Sequence, residues 1–163
     1  MMDYSITELN ISNKKLTVLP DDISRYTKLE LLNCNYNALS SLNNLPPTLK
    51  TLKCCYNALT DLDNLPLALE VLICNNNKIT SLDNLPLALE VLSCSNNKIT
   101  CLDNLPPTLK TFYCSSNNII QLDNLPPLIT SMFYDTHKVK HFPKNFKLLE
   151  NVFDTFYKVK YIG

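Results

Sequence analysis

Leu-Asn-Asn-Leu-Pro at 42–46 is followed by Leu-Asp-Asn-Leu-Pro at 62–66, 82–86, 102–106 and 122–126, a spacing of 20 residues each time. A period this strict constrains the fold more than any composition does, because each position of the unit must find the same surroundings in every copy. Written from its first leucine, the unit reads Leu69-x-x-Leu72-x-Cys74-x-x-Asn77-x-Ile79-x-x-Leu82. The same frame begins at Leu29, Leu49, Leu89 and Leu109. It continues in looser form from Ile129 (Met132, Tyr134, His137, Val139, Phe142) and from Leu149 (Val152, Asp154, Tyr157, Val159, Ile162). Ahead of these, Ile6-x-x-Leu9-x-Ile11 opens a longer unit.

Leu72 and Cys74 are two residues apart and so point to one side of a short strand, while Val71, Ile73 and Asn75 point to the other. The apolar side chains of one such unit hide too little surface to offset the entropy of ordering it, so the units must stack. Parallel strands at about 4.8 Å make a ladder of eight rungs about 34 Å long. Between strands, Leu62-Asp63-Asn64-Leu65-Pro66 returns the chain. Pro66 removes a donor and pushes Leu65 to extended geometry, and the Asp-Asn pair competes with helix through its own side chains. The outer wall is therefore expected to be extended or polyproline-like, with little helix. The only glycine is Gly163, so left-handed backbone positions are expected to fall on Asn or Asp.

The pattern Leu-x-x-Leu-x-Cys-x-x-Asn-x-Leu/Ile resembles the signature of leucine-rich-repeat proteins, with Cys in the third apolar slot. The resemblance runs over nearly the whole chain. It implies a leucine-rich-repeat solenoid with a parallel strand ladder on its concave face, and one domain over 1–163 with units starting near 6, 29, 49, 69, 89, 109, 129 and 149. The 20-residue length and the Leu-Pro-x-x-Leu step resemble the short repeats of bacterial type III effectors. The Cys slot and the Asn-rich, glycine-poor style are closer to those of giant amoeba-infecting viruses. In effector relatives a ubiquitin-ligase domain often follows the repeats; here the sequence ends at Gly163, and that activity is not expected.

Fifteen basic and fifteen acidic side chains cancel, so no overall field recruits nucleic acid or a membrane surface. Lys138, Lys140, Lys144, Lys147, Lys158 and Lys160 gather after residue 130, which reads as a solvated end of the stack. The start carries no basic residue before an apolar run, and no stretch reaches the length of a membrane span. Seven cysteines without a secretory signal read as reduced thiols in a cytoplasm, a host cytoplasm if the viral resemblance holds.

Cys34, Cys54, Cys74, Cys94 and Cys114 share one slot of five consecutive units. A straight column cannot wrap a metal ion tetrahedrally, so these thiols are expected to be core filler. Cys55 and Cys101 leave the column and are expected to face outward, as candidate redox-sensitive thiols. Asn37, Asn57, Asn77, Asn97 and Asn117 form a second column, whose amides are suited to backbone groups leaving each strand. Asp63, Asp83, Asp103 and Asp123 recur on the outer face. They lack the glycines of calcium-binding repeats and read as caps of the Asp-Asn turn. His137 and His141, the only histidines, have no periodic partners from which a catalytic triad could be built. No catalytic residue, metal or cofactor is expected.

What remains is a surface, mixing aromatic and short polar side chains with little charge. Tyr36 and Tyr56 occupy one slot of adjacent units and should lie side by side on the strand face. Tyr113 and Phe133 pair in another slot, with Ile73 between the two pairs. These five residues are the expected partner-binding set of a monomeric, non-enzymatic module for a protein partner, with no nucleic-acid or membrane ligand. The rival readings are a self-assembling structural solenoid and a redox-sensitive regulator.

Overall fold

Wherever the unit places a leucine between two outward residues, a three-residue strand forms. These are β1 (Glu8–Asn10), β2 (Leu31–Asn33), β3 (Thr51–Lys53), β4 (Val71–Ile73), β5 (Val91–Ser93), β6 (Thr111–Tyr113) and β7 (Ser131–Phe133). The computed structural model describes residues 3–135, 138–139, 143–153 and 156–162. The seven strands pair in parallel, in chain order and without slip, so that Leu32, Leu52, Leu72 and Leu92 are direct neighbours and continue into Phe112 and Met132. A 20-residue period leaves no other register that keeps every leucine on the covered face.

The core is a set of columns. Leu29, Leu49, Leu69, Leu89 and Leu109 are fully buried, as are Leu32, Leu52, Leu72, Leu92 and Phe112. Cys34, Cys54, Cys74 and Cys94 lie wholly inside and Cys114 nearly so. The expected interior cysteine column is present.

Each repeat is tied to the previous one by its asparagine. Asn77 donates from Nδ2 to the carbonyls of Cys54 and Cys74, both at 3.0 Å, and accepts from the Leu59 amide at 3.0 Å. The same three partners recur one rung on for Asn97 and again for Asn117. Asn57 repeats the pattern, and in the first rung Asn37 accepts from both Lys14 and Leu16. One amide thus satisfies backbone groups that the strand ladder leaves unpaired where each strand ends.

The convex wall carries one helical element among the described residues, a single 3-10 turn at Ile23–Arg25. Two tight turns recur there in each repeat. One has Asn44, Asn64, Asn84, Asn104 or Asn124 in the left-handed region, with φ of 61–63°. The other closes from the proline carbonyl to the leucine three residues on, as in Leu69 N–H to Pro66 O at 3.1 Å. The acidic column clasps the following repeat rather than capping its own turn. Asp63, Asp83 and Asp103 each accept, at 3.2–3.4 Å, from the left-handed asparagine of the following repeat.

Two expectations fail here. Left-handed positions are not confined to Asn and Asp: Lys15, Tyr36, Tyr56 and Ser116 also adopt them, with φ of 55–57°. Nor is there an eighth parallel rung. Instead β8 (Phe146–Phe153) and β9 (Phe156–Tyr161) form an antiparallel hairpin, and β9 lies antiparallel on β7 with Phe133 opposite Phe156. The unit starting at Leu149 has Tyr157 in the asparagine slot. The chain folds back on itself there and β9 takes the open edge of β7. His137, His141, Phe142 and Asp154 lie outside the described residues.

Candidate protein-binding surface

The strands turn two rows of side chains outward. Leu31, Thr51, Val71, Val91, Thr111 and Ser131 form the first; Asn33, Lys53, Ile73, Ser93, Tyr113 and Phe133 form the second. All are half-buried, flanking the fully buried residue between them. Alternation along a strand allows nothing else once the leucine column is inside. Tyr113 and Phe133 meet with ring centroids 6.2 Å apart and planes tilted by 39°. Ile73 lies two rungs from Tyr113.

A third row follows the strands and is polar. The Cys55 amide donates to Asn35 Oδ1 at 2.6 Å, the Ser95 amide to Asn75 Oδ1 at 2.7 Å, and the Ser116 amide to Asp135 Oδ2 at 2.7 Å. Short side chains here satisfy the backbone of an adjoining repeat.

Cys55 belongs to this row and corrects an expectation. It is 8% exposed, and its thiol donates to the Ile73 carbonyl at 3.5 Å. Burial raises its pKa, although hydrogen bonds from the backbone and side chain of Asn75 work the other way. Only Cys101 of the two outlying thiols is exposed. In the column, burial pushes Cys34 up to about 12 and holds Cys54, Cys74, Cys94 and Cys114 well above an ordinary thiol. Protonated and enclosed, these sulfurs are neither nucleophiles nor ready ligands. Among the described residues, no group of three or more His, Cys, Asp or Glu is placed to hold a metal, and no helix is long and apolar enough to cross a membrane.

Tyr36 and Tyr56 do lie side by side, stacked at 4.6 Å with planes only 10° apart. They are not on the strand face, however. The strands end at Asn33 and Lys53, and both tyrosines sit beyond them in the left-handed turn that makes the rim of the solenoid. They are 56% and 48% exposed. Counting residues along an idealised strand put them on its face; the turn, three residues on, takes them off it.

Two further exposed features were readable at the same 20-residue spacing. Column 38 runs Ala38, Ala58, Lys78, Lys98 along the same rim. On the opposite side Leu67 and Leu87, 85% and 72% exposed, stand in successive repeats beside Pro66 and Pro86.

A family model for leucine-rich repeats, two copies, matches residues 67–107. The solved leucine-rich-repeat domain of a Shigella effector superposes with a TM-score of 0.76 at 34% identity, over 85% of this chain and 62% of that one. YopM, a leucine-rich effector protein from Yersinia pestis, superposes with a TM-score of 0.74 at 33% identity, over 87% of this chain and 41% of that one. This chain is a leucine-rich-repeat protein. This leucine-rich-repeat solenoid covers less than two thirds of each of those chains. A third solenoid, the functional domain of InlJ from Listeria monocytogenes, is described as including a cysteine ladder. At 24% identity and a TM-score of 0.51, over 88% of this chain and 48% of that one, it shares the fold alone. No curated protein sequence matches significantly. Leucine-rich-repeat solenoids are in general non-enzymatic and typically bind protein partners.

Proposed function

We propose that this leucine-rich-repeat protein is a non-catalytic binding module that works as a monomer and presents its strand face to a protein of the cell it acts in, a host cell if it serves as an effector. The observation that carries this is the second row of the strand face, where Ile73, Tyr113 and Phe133 stand in line, each half-exposed, on a hydrogen-bonded ladder. Aromatic and aliphatic anchors fixed by their backbone lose little entropy on binding, and such anchors carry most of the energy of a protein interface. The antiparallel β8–β9 hairpin ends the parallel register at β7, so a second copy cannot continue the repeat stack there in the same frame, which supports a monomer over end-to-end stacking. Unpaired cysteines throughout support a reducing cytoplasm. Burial of Cys55 leaves a redox reading only Cys101 to rest on.

The test is capture by the immobilised protein, with partners identified by mass spectrometry. Ile73→Ser/Tyr113→Ser should lose the partner while melting within a few degrees of the parent. Leu67→Ser/Leu87→Ser, on the opposite side, should keep it. The reverse pattern would move the binding surface to the proline side and refute the reading.

A further inference from the structure

The left-handed turns that form the rim read Asn13-Lys14-Lys15, Tyr36-Asn37-Ala38, Tyr56-Asn57-Ala58, Asn76-Asn77-Lys78, Asn96-Asn97-Lys98 and Ser116-Asn117-Asn118. Their first residues all have φ of 55–58°. Asparagine tolerates that region and a bulky aromatic does not. Two adjacent repeats nevertheless hold tyrosine there, stacked on each other and about half in solvent. Neither phenol hydroxyl has a hydrogen-bond partner among the described residues. Their unfavourable backbone geometry offsets what the ring stacking contributes to stability.

Their surroundings are chemically specific. The six turns contain four lysines and no acidic residue. Lys14, Lys15, Lys78 and Lys98 are exposed, and among the described residues none makes an ion pair. Lys15 precedes Leu16, whose carbonyl accepts from the Ala38 amide at 2.7 Å, and the Lys78 amide donates to Leu59 at 2.8 Å. Lysines therefore flank the tyrosine ledge on both sides, and between them lie only Ala38 and Ala58. On the opposite edge, where chains enter the strands, Lys50 and Lys110 are already paired with Glu30 and Glu90.

We propose that this rim docks an extended acidic segment of the partner protein, in which a proline or aromatic residue lies on Tyr36 and Tyr56 between two carboxylates that reach Lys15 and Lys78. The proposal rests on the binding-module reading and names the chemistry of the partner. Three rungs at about 4.8 Å separate the two lysine positions by about 14 Å, and an extended peptide covers that in about four residues. Proline and aromatic rings stack on tyrosine faces at little entropic cost. A nucleic-acid strand fits less well. With bases stacked on both rings its phosphates would run over Ala38 and Ala58, where there is no cation.

The experiment uses the full chain and three fluorescently labelled probes, read by anisotropy. The first is a nine-residue peptide with two glutamates four positions apart and a tryptophan midway; the second has lysines for the glutamates; the third is a deoxythymidylate decamer. The acidic peptide should bind and the other two should not. Tyr36→Asn/Tyr56→Asn, the residue used by neighbouring repeats, should weaken it about tenfold or more while melting no lower than the parent. Lys15→Ser/Lys78→Ser should weaken it about fivefold and reduce its salt dependence. Ile73→Ser/Tyr113→Ser should leave probe binding unchanged. The rim is refuted if no probe binds, if the basic peptide binds as well, or if the decamer binds more tightly. It is also refuted if the tyrosine variant binds normally and melts early, which would make the rings structural. Loss of the probe in the strand-face variant alone also refutes the rim, and leaves the strand-face module standing.

Discussion

Replacing Asn77 by alanine tests the central structural claim, that each asparagine amide holds two repeats together. The substitution removes two donations at 3.0 Å, a longer one to the Asn75 carbonyl at 3.4 Å and one acceptance, and leaves the carbonyls of Cys54 and Cys74 and the amide of Leu59 without those partners. At about 1 kcal/mol per bond the loss is about 3 kcal/mol, or about 6–12 °C in melting temperature for a chain of this size. Asn77 is half-buried whereas Asn117 is 2% exposed. Water can replace part of the lost bonding at Asn77, so Asn117→Ala should cost at least as much. The neighbouring position provides the control. Asn76 has φ of 58° and makes no comparable bonds with its side chain. Asn76→Ala is therefore not neutral, because alanine is disfavoured in the left-handed region, and should cost about 1 kcal/mol. Asn76→Gly should recover that loss, since glycine adopts the region freely. At Asn77 glycine should be no better than alanine, because the missing group is the amide. Urea melts of the four variants at 76 and 77 decide the matter. An Asn77→Ala loss below about 1 kcal/mol, or no gain from glycine over alanine at 76, would refute the division of the turn into a clamp and a left-handed hinge.

Three other outcomes follow from the core and the cap. In the native protein one thiol, Cys101, should react quickly with a thiol reagent, and Cys55 should be protected together with the five column thiols until unfolding; a second fast thiol would contradict the burial of Cys55. Because burial raises the column thiols, the unfolded chain loses their protons first. Their contribution is complete below about pH 9, the ordinary thiol value, and declines as pH rises from there through the raised folded values, about 12 for Cys34. Alkaline melts should steepen above pH 9, and Cys74→Ala should shallow the slope by one proton, about 1.4 kcal/mol per pH unit; an unchanged slope would sink that account. Finally, Phe146, 5% exposed and packed edge-on to Tyr161 at 5.4 Å, anchors the terminal hairpin. Phe146→Ala should speed amide exchange in β7 while β3 and β4 keep their protection, because solenoid repeats are stabilised by their neighbours; uniform loss along the ladder would argue against it.

Which residues of this chain lie in line was legible in the sequence, because a repeating unit turns a sequence column into a spatial one. Leu72, Cys74 and Asn77 find themselves again every 20 residues, so the leucine and cysteine columns, the asparagine clamp and the pairing of Tyr36 with Tyr56 needed no coordinates. What lies across the columns was decided by the tertiary structure. Cys55 is covered because Asn35 and Ile73 of the adjoining repeats reach it, and the Asp63, Asp83 and Asp103 clasps join side chains 21 residues apart. Tyr36 and Tyr56 went to the rim because the left-handed turn begins only three residues past the strand, a matter of backbone dihedrals rather than spacing. Where the period loosens, beyond Ser131–Phe133, translation no longer dictates the neighbour. The chain there takes the antiparallel pairing that covers β7, and only the packed end of the ladder determines that direction.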